Sequence, residues 1–299
     1  MITMKEIKVI YGQEEVYKHF LDYVSYGLEL VAADYGFTVR KEVNEDLKCS
    51  ILIDNRLVGF LVYGDNADYD EPGNSYFTNF IEKYEPSIIF KYQFDSKVDY
   101  KYPNTIPSGF FSKMLWINHF QGREAGYEYI ETDRTIDINA RMMDWSSKGN
   151  SKHNWVRERK SIIEVAKKIA SEGEYNVVFD KRRACNYFRE LSLTKIGFNW
   201  RGWALLNFRI YEYLYYGVAM ITDPLDDYPL REDIQLEHGV TAIFSEAKDF
   251  EREAKALLKD PQKIKTIGAN GRALFMEYLS PERVGEWYYR KLKEYDDGF

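Results

Sequence analysis

Cysteine is scarce in this chain, which has two in 299 residues, Cys49 and Cys185. Two cysteines so far apart in sequence form no disulfide framework and lack the paired spacing of a zinc site. No apolar stretch approaches the roughly 20 residues that a membrane span needs. The first residues, MITMKEIKVIYGQEE, become charged at once and contain no apolar segment of the kind that a secretory signal has. We therefore expect a cytoplasmic protein without a membrane span.

Several motifs of known enzyme classes are missing too. The sequence contains no Gly-x-Gly-x-x-Gly, no Walker A motif and no Gly-x-Ser-x-Gly. Interpretations as a dehydrogenase, an ATPase or a serine hydrolase are therefore unsupported. Positive charge is not in excess either, because the formal net charge is −7. That balance argues against a protein whose main partner is nucleic acid, since phosphate contacts need clustered lysine and arginine.

The chain does contain enough apolar side chains for a core. Hydrophobic residues make up 45% of the sequence and charged residues 30%, which is typical of a globular protein. At 299 residues the chain fits one large α/β domain or two domains of ordinary size. Tyrosine and phenylalanine are frequent, at 25 and 18 residues. Tyrosine lines many sugar sites but also fills cores, so composition alone does not decide between these uses.

Helical and strand patterns alternate along the first half of the chain. Apolar residues recur at helical spacing from about 14 to 35, and Gly36 is a helix stop. A second helix is expected at 76–83. Strands are expected at 7–11, 37–43, 87–92 and 114–118, and a hairpin at 49–54 and 57–63. This alternation predicts a doubly wound sheet with an antiparallel edge.

The second half continues as a repeat of strands and helices. Strands are expected at 136–140, 175–179, 195–200, 218–222 and 240–244, and helices at 155–171, 185–191, 208–216 and 250–259. Asp249 is expected to cap the last of these helices, and Asp260-Pro261 and Ser280-Pro281 have the pattern that opens a helix. The predicted domains are 1–133 and 134–280, with the helix in 281–299 crossing back to the first domain.

The most informative segment is 207–223, NFRIYEYLYYGVAMITD. With Asn207 as the N-cap, Arg209 lies in the first helical turn, where the helix dipole already makes the potential positive. A cation is unfavourable there unless an anion is nearby, and a diphosphate would use both the arginine and the helix N-terminus. Glu212 shares that face, where its carboxylate can accept hydrogen bonds from ribose hydroxyls. The alternative is an ordinary ion pair on a solvated helix face.

A family resemblance rests on this segment. The run Arg-x-x-Glu-Tyr-Leu-x-x-Gly-x-x-x-Ile-Thr-Asp resembles the donor-binding segment of family 1-like glycosyltransferases related to spore-maturation glycosyltransferases. It also resembles the matching segment of phage DNA hydroxymethylcytosine β-glucosyltransferases. In those families the arginine contacts the donor diphosphate and the glutamate holds the ribose, which implies these roles for Arg209 and Glu212. The resemblance covers roughly 136–289 and implies an α/β protein of the GT-B type, with two Rossmann-like domains facing a central cleft.

A second match lies upstream. IDINARM at 136–142, a loop with Lys148, and VRERK at 156–160 resemble the first strand, phosphate loop and helix of the same donor domain. The resemblance implies Arg157 as a further diphosphate ligand and Lys148 as another candidate, whereas the alternative is a solvated basic helix start. The Glu-x7-Glu pattern of retaining enzymes is half present, because its first position falls on Ala204 and its second on Glu212. Inversion is therefore favoured.

Inverting enzymes of this type take their general base from the N-terminal domain, because a carboxylate or imidazole must deprotonate the acceptor hydroxyl. Asp95, after the strand at 87–92, lies where the resemblance to the phage enzyme places its aspartate. His119, after the strand at 114–118, is the rival candidate. Each has a plainer alternative, namely a turn residue for Asp95 and a strand-end histidine bound to backbone for His119.

Asp68-Tyr69-Asp70 fits the Asp-x-Asp metal signature of the other glycosyltransferase fold, GT-A. Two such carboxylates can chelate Mn²⁺ or Mg²⁺ together with a diphosphate. The pattern lies in an acidic loop, which favours a solvated role. Because arginines can stabilise a leaving diphosphate, we expect no metal site and no tightly bound cofactor, with Mg²⁺ compatible but not required.

The sequence thus predicts a glycosyltransferase that moves a sugar from a nucleoside diphosphate, UDP in our interpretation, to a hydroxyl of a carbohydrate or other acceptor. Three alternatives remain open. They are a phage-type enzyme that glucosylates an extruded DNA base, a nucleotide-sugar epimerase or hydrolase of the same fold, and a non-catalytic sugar-binding protein.

Overall fold

A computed structural model of the chain describes residues 4–13, 15–63, 69–70, 75–109, 133–142, 154–179, 184–202 and 206–296, with the backbone alone at 15–20 and 184–186. The chain divides into two compact units. The first unit contains Met1–Lys113, Asp227–Gln235 and Glu277–Phe299, and the second contains Met114–Asp226 and Leu236–Met276. The sequence did not indicate that 227–235 groups with the first unit. The domain limit at 133/134 stays a prediction, because 110–132 lie outside the described residues.

The first unit begins with a β-α-β element and a hairpin. Its described elements are β1 (Lys5–Tyr11), α1 (Glu15–Tyr35), β2 (Phe37–Val43), β3 (Ser50–Ile53), β4 (Arg56–Val62), α2 (Tyr76–Tyr84), β5 (Ile88–Lys91) and β6 (Thr105–Pro107). The long first helix ends where the sequence predicts, since Gly36 has a φ of 71°, a left-handed conformation that glycine adopts without strain. The short strand β6 had no clear signal in the sequence, and the strand expected at 114–118 lies outside the described residues.

These strands form a sheet in the order β2-β1-β3-β4-β5-β6. β1 and β2, β4 and β5, and β5 and β6 pair in parallel, whereas β3 runs antiparallel to both β1 and β4. The expected antiparallel edge is therefore wrong, because the antiparallel strand lies inside the sheet. All four residues of β3 are buried, as an interior strand requires. Asp54 and Asn55, with φ of 48° and 67°, form the two-residue turn that folds β4 back beside it.

The second unit alternates strands and helices. Its described elements are β7 (Ile136–Asn139), α3 (Asn154–Ser171), β8 (Val177–Val178), α4 (Ala184–Ser192), β9 (Thr194–Phe198), α5 (Phe208–Tyr215), β10 (Ala219–Thr222), β11 (Ile243–Phe244), α6 (Phe250–Leu258) and α7 (Pro261–Leu274). The strands pair in parallel in the order β11-β10-β9-β7-β8. The prediction of an α/β protein with two Rossmann-like units is confirmed.

The order of these strands contains a reversal, which is where doubly wound sheets usually bind ligands. The chain passes from β7 outward to β8 and then returns to place β9 on the other side of β7. Such a reversal leaves a crevice at the carboxyl ends of the two strands that flank it, and doubly wound sheets bind ligands there. The carboxyl ends of β7 and β9 are therefore the place to look for a site.

One apolar core holds the helices of the second unit on its sheet. It contains Ile138 and Ile196 from the sheet, Ile162 from α3, Phe250 from α6 and Ile267 from α7, each at most 1% exposed. These side chains repeat at the strand and helix periods that the sequence displays. The core thus fixes α3 against the sheet, and with it the start of that helix near the strand ends.

Helix capping follows the sequence in part. Asn207 and Asp260 accept hydrogen bonds from the backbone N–H groups of Arg209 and Lys263, as predicted. The prediction for Asp249 is wrong, because its backbone is already helical and its carboxylate binds Arg252 instead. An N-cap side chain reaches its helix from an extended backbone, which Asn207 has and Asp249 lacks. None of the helices in the described part of the chain combines the length and apolar character needed to cross a membrane.

The last helix, α8 (Pro281–Glu294), packs along α1 within the first unit. Tyr289 of α8 stacks on Phe37 with ring centroids 5.0 Å apart. The helices approach most closely where Gly27 of α1 faces Gly285 of α8, since a Cβ on either glycine would overlap backbone atoms of the other helix. This glycine pair allows the close packing.

We predict that Gly285→Ala lowers the free energy of unfolding by about 1–3 kcal/mol, the usual cost of overpacking. The new methyl group would have to push α8 away from the Gly27 carbonyl. Arg290→Ala, at an exposed position of the same helix, is the control and should leave stability unchanged. Chemical denaturation measures both variants, and equal stability of the two would show that the close approach is absent in solution.

Candidate functional site

The helix α5 is fixed across the crevice between β7 and β9. The Tyr213 hydroxyl lies 3.1 Å from the carbonyl oxygens of both Asn139 and Phe198, at the ends of these two strands, and donates its proton to them. A Cβ on Gly197 would lie 2.5 Å from the Tyr213 ring, so glycine there lets the ring lie against the sheet. The first turn of α5 is therefore held beside the strand ends.

Arg209 occupies that first turn. Asn207 caps the helix by accepting a hydrogen bond from the Arg209 backbone N–H at 3.1 Å. The Arg209 side chain is half-buried, and its Nη2 donates to the carbonyl oxygen of Arg141 at 2.8 Å, just beyond β7. Burial lowers the pKa of this guanidinium, but its interactions with Tyr187, Tyr213 and Glu212 raise the pKa more, so the net shift is upward. Arg209 therefore carries a positive charge at the crevice.

A second arginine reaches the same place from α3. Arg159 is 6% exposed, and its Nη2 donates to the carbonyl oxygen of Trp200 at 2.6 Å, just beyond β9. The same carbonyl accepts from Nδ2 of Asn207 at 3.3 Å, so Arg159 is joined to the N-terminus of α5. Burial, and then the like charge of Arg209, lower the pKa of Arg159 to about 9, although Asp223 acts in the opposite direction.

The two guanidinium groups create an unsatisfied positive site. Nε of Arg159 and Nε of Arg209 are both buried, and neither has a hydrogen-bond partner within the part of the chain that the structure describes. Buried donors without partners are costly, and so are like charges held close together. An anion with several oxygens between the two arginines would relieve both costs at once. The crevice is thus suited to binding a phosphate or diphosphate.

Glu212 lies one turn further along α5. It is 5% exposed, and its Oε2 accepts a hydrogen bond of 2.7 Å from the Tyr187 hydroxyl. Burial and then the Glu212 carboxylate raise the pKa of Tyr187, so this hydroxyl stays protonated and donates. Tyr187 also interacts with Arg209, so the arginine and the glutamate predicted to act together do share one cluster.

A buried carboxylate at the end of β10 borders the crevice. Asp223 is fully buried, and its Oδ2 accepts from Nε of Arg201 at 2.6 Å while its Oδ1 accepts from the Thr222 hydroxyl at 3.1 Å. Burial raises the pKa of Asp223, and Arg201 offsets part of that rise. The pair fixes the chain just after β9, next to Trp200.

The structure places Arg157, which the resemblance implied as a ligand, and Arg159, which the sequence analysis did not single out, on different faces of α3. Arg157, the predicted ligand, is exposed and donates to Asn154 at the start of α3. Arg159 lies two residues further on, on the opposite face, because each residue turns a helix by about 100°. The signal was present in the sequence, since Arg159 lies between Val156 and Ile162 at the spacing of the apolar stripe. Burying the charge of an arginine in such a stripe costs free energy, which makes the residue a candidate for a functional site.

Asp95, the predicted base, lies in the loop after β5. Its Oδ1 accepts from the Lys97 backbone N–H at 2.9 Å, and its own N–H donates to the Tyr100 hydroxyl at 3.0 Å. Its Oδ2 accepts from the Tyr228 hydroxyl at 3.1 Å. The contacts of Oδ1 and the backbone N–H form a turn. The role of Asp95 stays a prediction, and the other two candidates, His119 and Lys148, lie outside the described residues.

The Asp-x-Asp pattern has a structural use. Both carboxylate oxygens of Asp70 accept backbone hydrogen bonds at the start of α2, from Phe77 at 2.7 Å and from Thr78 at 2.9 Å. These bonds satisfy N–H groups that the first turn of a helix leaves free. Within the described ranges, no group of three or more histidine, cysteine, aspartate or glutamate side chains is placed to hold a metal ion. Asp68 lies outside those ranges.

No protein-family model matches the chain, and no curated protein sequence matches it. Solved structures do resemble it. A Listeria monocytogenes protein, provisionally assigned as a UDP-N-acetylglucosamine 2-epimerase, has a TM-score of 0.51 and 10% sequence identity, and the match covers 98% of each chain. At this identity the likeness establishes the fold alone. It agrees with the predicted GT-B architecture of two Rossmann-like units.

Two further structures are similar at lower TM-scores. An α-glucosyltransferase solved with UDP and a 13-mer DNA containing an HMU base has a TM-score of 0.45 and 10% identity, over 96% of this chain and 100% of the other. A Staphylococcus aureus TarM variant solved with fondaparinux, alpha-GlcNAc-glycerol and UDP has a TM-score of 0.46 and 11% identity, over 78% of this chain. The match spans 50% of the length of that TarM chain.

We predict that Arg159→Met raises the free energy of unfolding of the ligand-free protein by about 0.5–2 kcal/mol. The pKa of Arg159 is lower in the folded protein than in the unfolded chain, so its charged form opposes folding at neutral pH. Methionine keeps much of the packing and removes the charge. Arg157→Met, on the exposed face, is the matched control and should change stability little. A marked loss of stability in Arg159→Met would mean that this arginine is a structural element.

Proposed function

We propose that the protein is a glycosyltransferase that moves a sugar from a nucleoside diphosphate to a hydroxyl group. One observation carries the proposal: Arg159 and Arg209 converge at the strand reversal of the second unit, and the buried Nε of each has no hydrogen-bond partner among the described residues. A diphosphate has the charge and the several oxygens that this arrangement needs. Doubly wound sheets bind nucleotides at this position, and the sequence of α5 resembles a donor-binding segment.

The described residues have distinct roles in the proposed reaction. As the bond between sugar and diphosphate breaks, negative charge builds up on the leaving diphosphate, and Arg159 and Arg209 stabilise that charge. Glu212 accepts hydrogen bonds from the ribose hydroxyls and sets the position of the nucleoside. Because the two guanidinium groups supply positive charge, the transfer needs no metal ion at this point. Arg157 and Lys148 remain further candidates from the resemblance alone.

The donor is a UDP sugar in this proposal. The Listeria protein of the same fold is assigned to a UDP sugar, and the resemblance of α5 is to enzymes with such donors. The acceptor is a carbohydrate or another hydroxyl compound, and its proton passes to a base in the first unit, Asp95 or His119. Ala204 stands where many retaining GT-B enzymes have their first glutamate, and this difference favours transfer with inversion.

Nucleotide binding is the first test. We expect UDP to stabilise the wild-type protein against thermal unfolding by about 2.7 kcal/mol at 100 times its dissociation constant. Arg159→Met and Arg209→Met should each abolish most of this stabilisation, since each removes contacts with the diphosphate. Uridine is the ligand control, because it lacks the diphosphate and should have little effect. GDP, ADP and CMP test the choice of nucleotide.

The matched variant Arg157→Met separates the two arginines of α3. If Arg159 is the ligand, Arg157→Met should respond to UDP as the wild type does. Loss of the UDP response in Arg157→Met alone would favour the assignment made from the resemblance. Stabilisation by none of the four nucleotides would contradict the donor site altogether and leave Arg209 and Glu212 with a structural role.

The base is tested by Asp95→Asn, with Asp99→Asn, exposed in the same loop, as its control. If Asp95 is the base, release of UDP from UDP sugars with a panel of hydroxyl acceptors should fall by about 10²–10⁴-fold. The stabilisation by UDP should stay unchanged, because Asp95 is not a donor ligand. A protein that is less stable but fully active would instead assign Asp95 to its turn and make His119 the candidate.

The same assay separates transfer from the reaction of an epimerase or a hydrolase. A glycosyltransferase should release UDP faster when acceptors are added. An epimerase should convert the UDP sugar to its isomer without an acceptor, and analysis of the sugar by NMR detects that change. A DNA-base enzyme should respond to DNA containing hydroxymethylated bases and to no sugar acceptor.

A further inference from the structure

The second unit contains a cavity of about 440 Å³ that the proposed transfer does not use. It opens at the amino ends of the strands, where Arg134 precedes β7 and Asp137 is its second residue. Lys195 lies in β9, and Gly217 precedes β10. Its volume falls within the range of about 300–1,000 Å³ that small-molecule sites have. We call it the amino-end cavity.

The amino-end cavity is remote from the proposed donor site. Lys195 lines the cavity, and Trp200, five residues further along the chain, contacts Arg159. An extended strand rises by about 3.3 Å per residue, so Lys195 and Trp200 lie about 16 Å apart, toward opposite ends of the strands. A ligand in this cavity is therefore separate from the donor.

One wall of the amino-end cavity is apolar. It is formed by Leu258 at the end of α6, by Ile264 and Ala269 of α7, and by Tyr175 before β8. Leu258 and Ile264 are half-buried and Ala269 is exposed, so part of this apolar surface faces water. A concave apolar surface of this kind gains free energy when an apolar group displaces its water.

The opposite side of the amino-end cavity holds charges in fixed positions. Arg134 donates to the carbonyl oxygens of Thr194 and Tyr216, which orients its guanidinium group. Nζ of Lys195 lies 2.7 Å from Oδ1 of Asp137. Fixed polar groups opposite an apolar wall are typical of sites that orient an amphipathic ligand.

The charged side chains that line the amino-end cavity favour a ligand of negative charge. Arg134, Lys195 and Lys265 line the cavity, as do Asp137 and Glu174, so three cations against two carboxylates leave one net positive charge. We propose that the amino-end cavity binds a small organic molecule with an apolar body and one negatively charged group. The carboxylate, sulfonate or phosphate ester of such a molecule faces Arg134 and Lys265, and its body lies against Ile264 and Ala269. This site does not depend on the proposed function.

A pair of dyes tests both halves of the proposal. Anilinonaphthalene sulfonate has an aromatic body and one negative charge, and phenylnaphthylamine has the same body without the sulfonate. We expect the sulfonate to bind the full-length protein at one saturable site and at least about tenfold more tightly than the uncharged dye. Fluorescence titration measures both affinities. Equal affinities would overturn the selection of an anion.

Substitutions on α7 test whether the dye binds in the amino-end cavity. Ala269→Trp should abolish the saturable binding, because the indole fills the cavity from an exposed position. Lys265→Glu should weaken it about tenfold, because it replaces an attractive charge with a repulsive one. Thr266→Trp and Lys263→Glu, exposed on the same helix outside the cavity, are the matched controls and should bind as the wild type does.

Besides equal affinities of the two dyes, two further results would overturn the proposal. One is unchanged dye binding in Ala269→Trp, which would place the dye elsewhere. The other is loss of dye binding with saturating UDP or in Arg159→Met, which would place the dye at the proposed donor site. Dye binding that persists with UDP and in Arg159→Met but is lost in Ala269→Trp supports the amino-end cavity, whatever the outcome for the transferase reaction.

Discussion

The contact between Tyr213 and Gly197 determines the geometry of the second unit. The ring can lie on the sheet because Gly197 has no side chain, and the Tyr213 hydroxyl then reaches the last carbonyls of β7 and β9. These two strands flank the point where the strand order reverses. The helix that carries Arg209 and Glu212 is thereby placed over the crevice, so the chemistry of the site follows from one close packing contact.

The two buried arginines are unfavourable in the ligand-free protein, and the proposed diphosphate would compensate for that cost. Arg159 and Arg209 are like charges in a buried place, and each has a donor without a partner in the described ranges. A protein selected for stability alone would replace one of them with an apolar residue. Retaining both is explained if a diphosphate completes the arrangement, because the attraction of both charges to the ligand then exceeds their repulsion. For Arg159, whose pKa is lowered on folding, stability and the proposed diphosphate binding therefore act in opposite directions.

The sequence predicted the elements better than their arrangement. Helix and strand limits such as those of α1 and β2 follow from local periodicity and from Gly36, which act over a few residues. The position of β3 inside the sheet depends on pairing between distant strands, which periodicity does not encode. Asp249 shows the same limit, since its residue type suits a cap but its backbone, set by the preceding 3₁₀ turn, does not.

The same distinction holds for the site. The placement of Arg209 and Glu212 on one helix was predictable because Asn207 is a recognisable N-cap, and their roles toward a donor stay a prediction. The resemblance named Arg157 and not Arg159 because a sequence match identifies a segment, whereas burial on the apolar face of α3 decides which arginine points to the crevice. The amino-end cavity has no sequence signature at all, since its lining comes from the starts of strands and from helices that are distant in sequence.

The most direct test of this account is a crystal structure of the protein with UDP bound. The account predicts diphosphate oxygens within about 3.2 Å of guanidinium nitrogens of both Arg159 and Arg209, and ribose hydroxyls at the Glu212 carboxylate. A diphosphate bound on the exposed face of α3 at Arg157, or bound away from the carboxyl ends of β7 and β9, would contradict it.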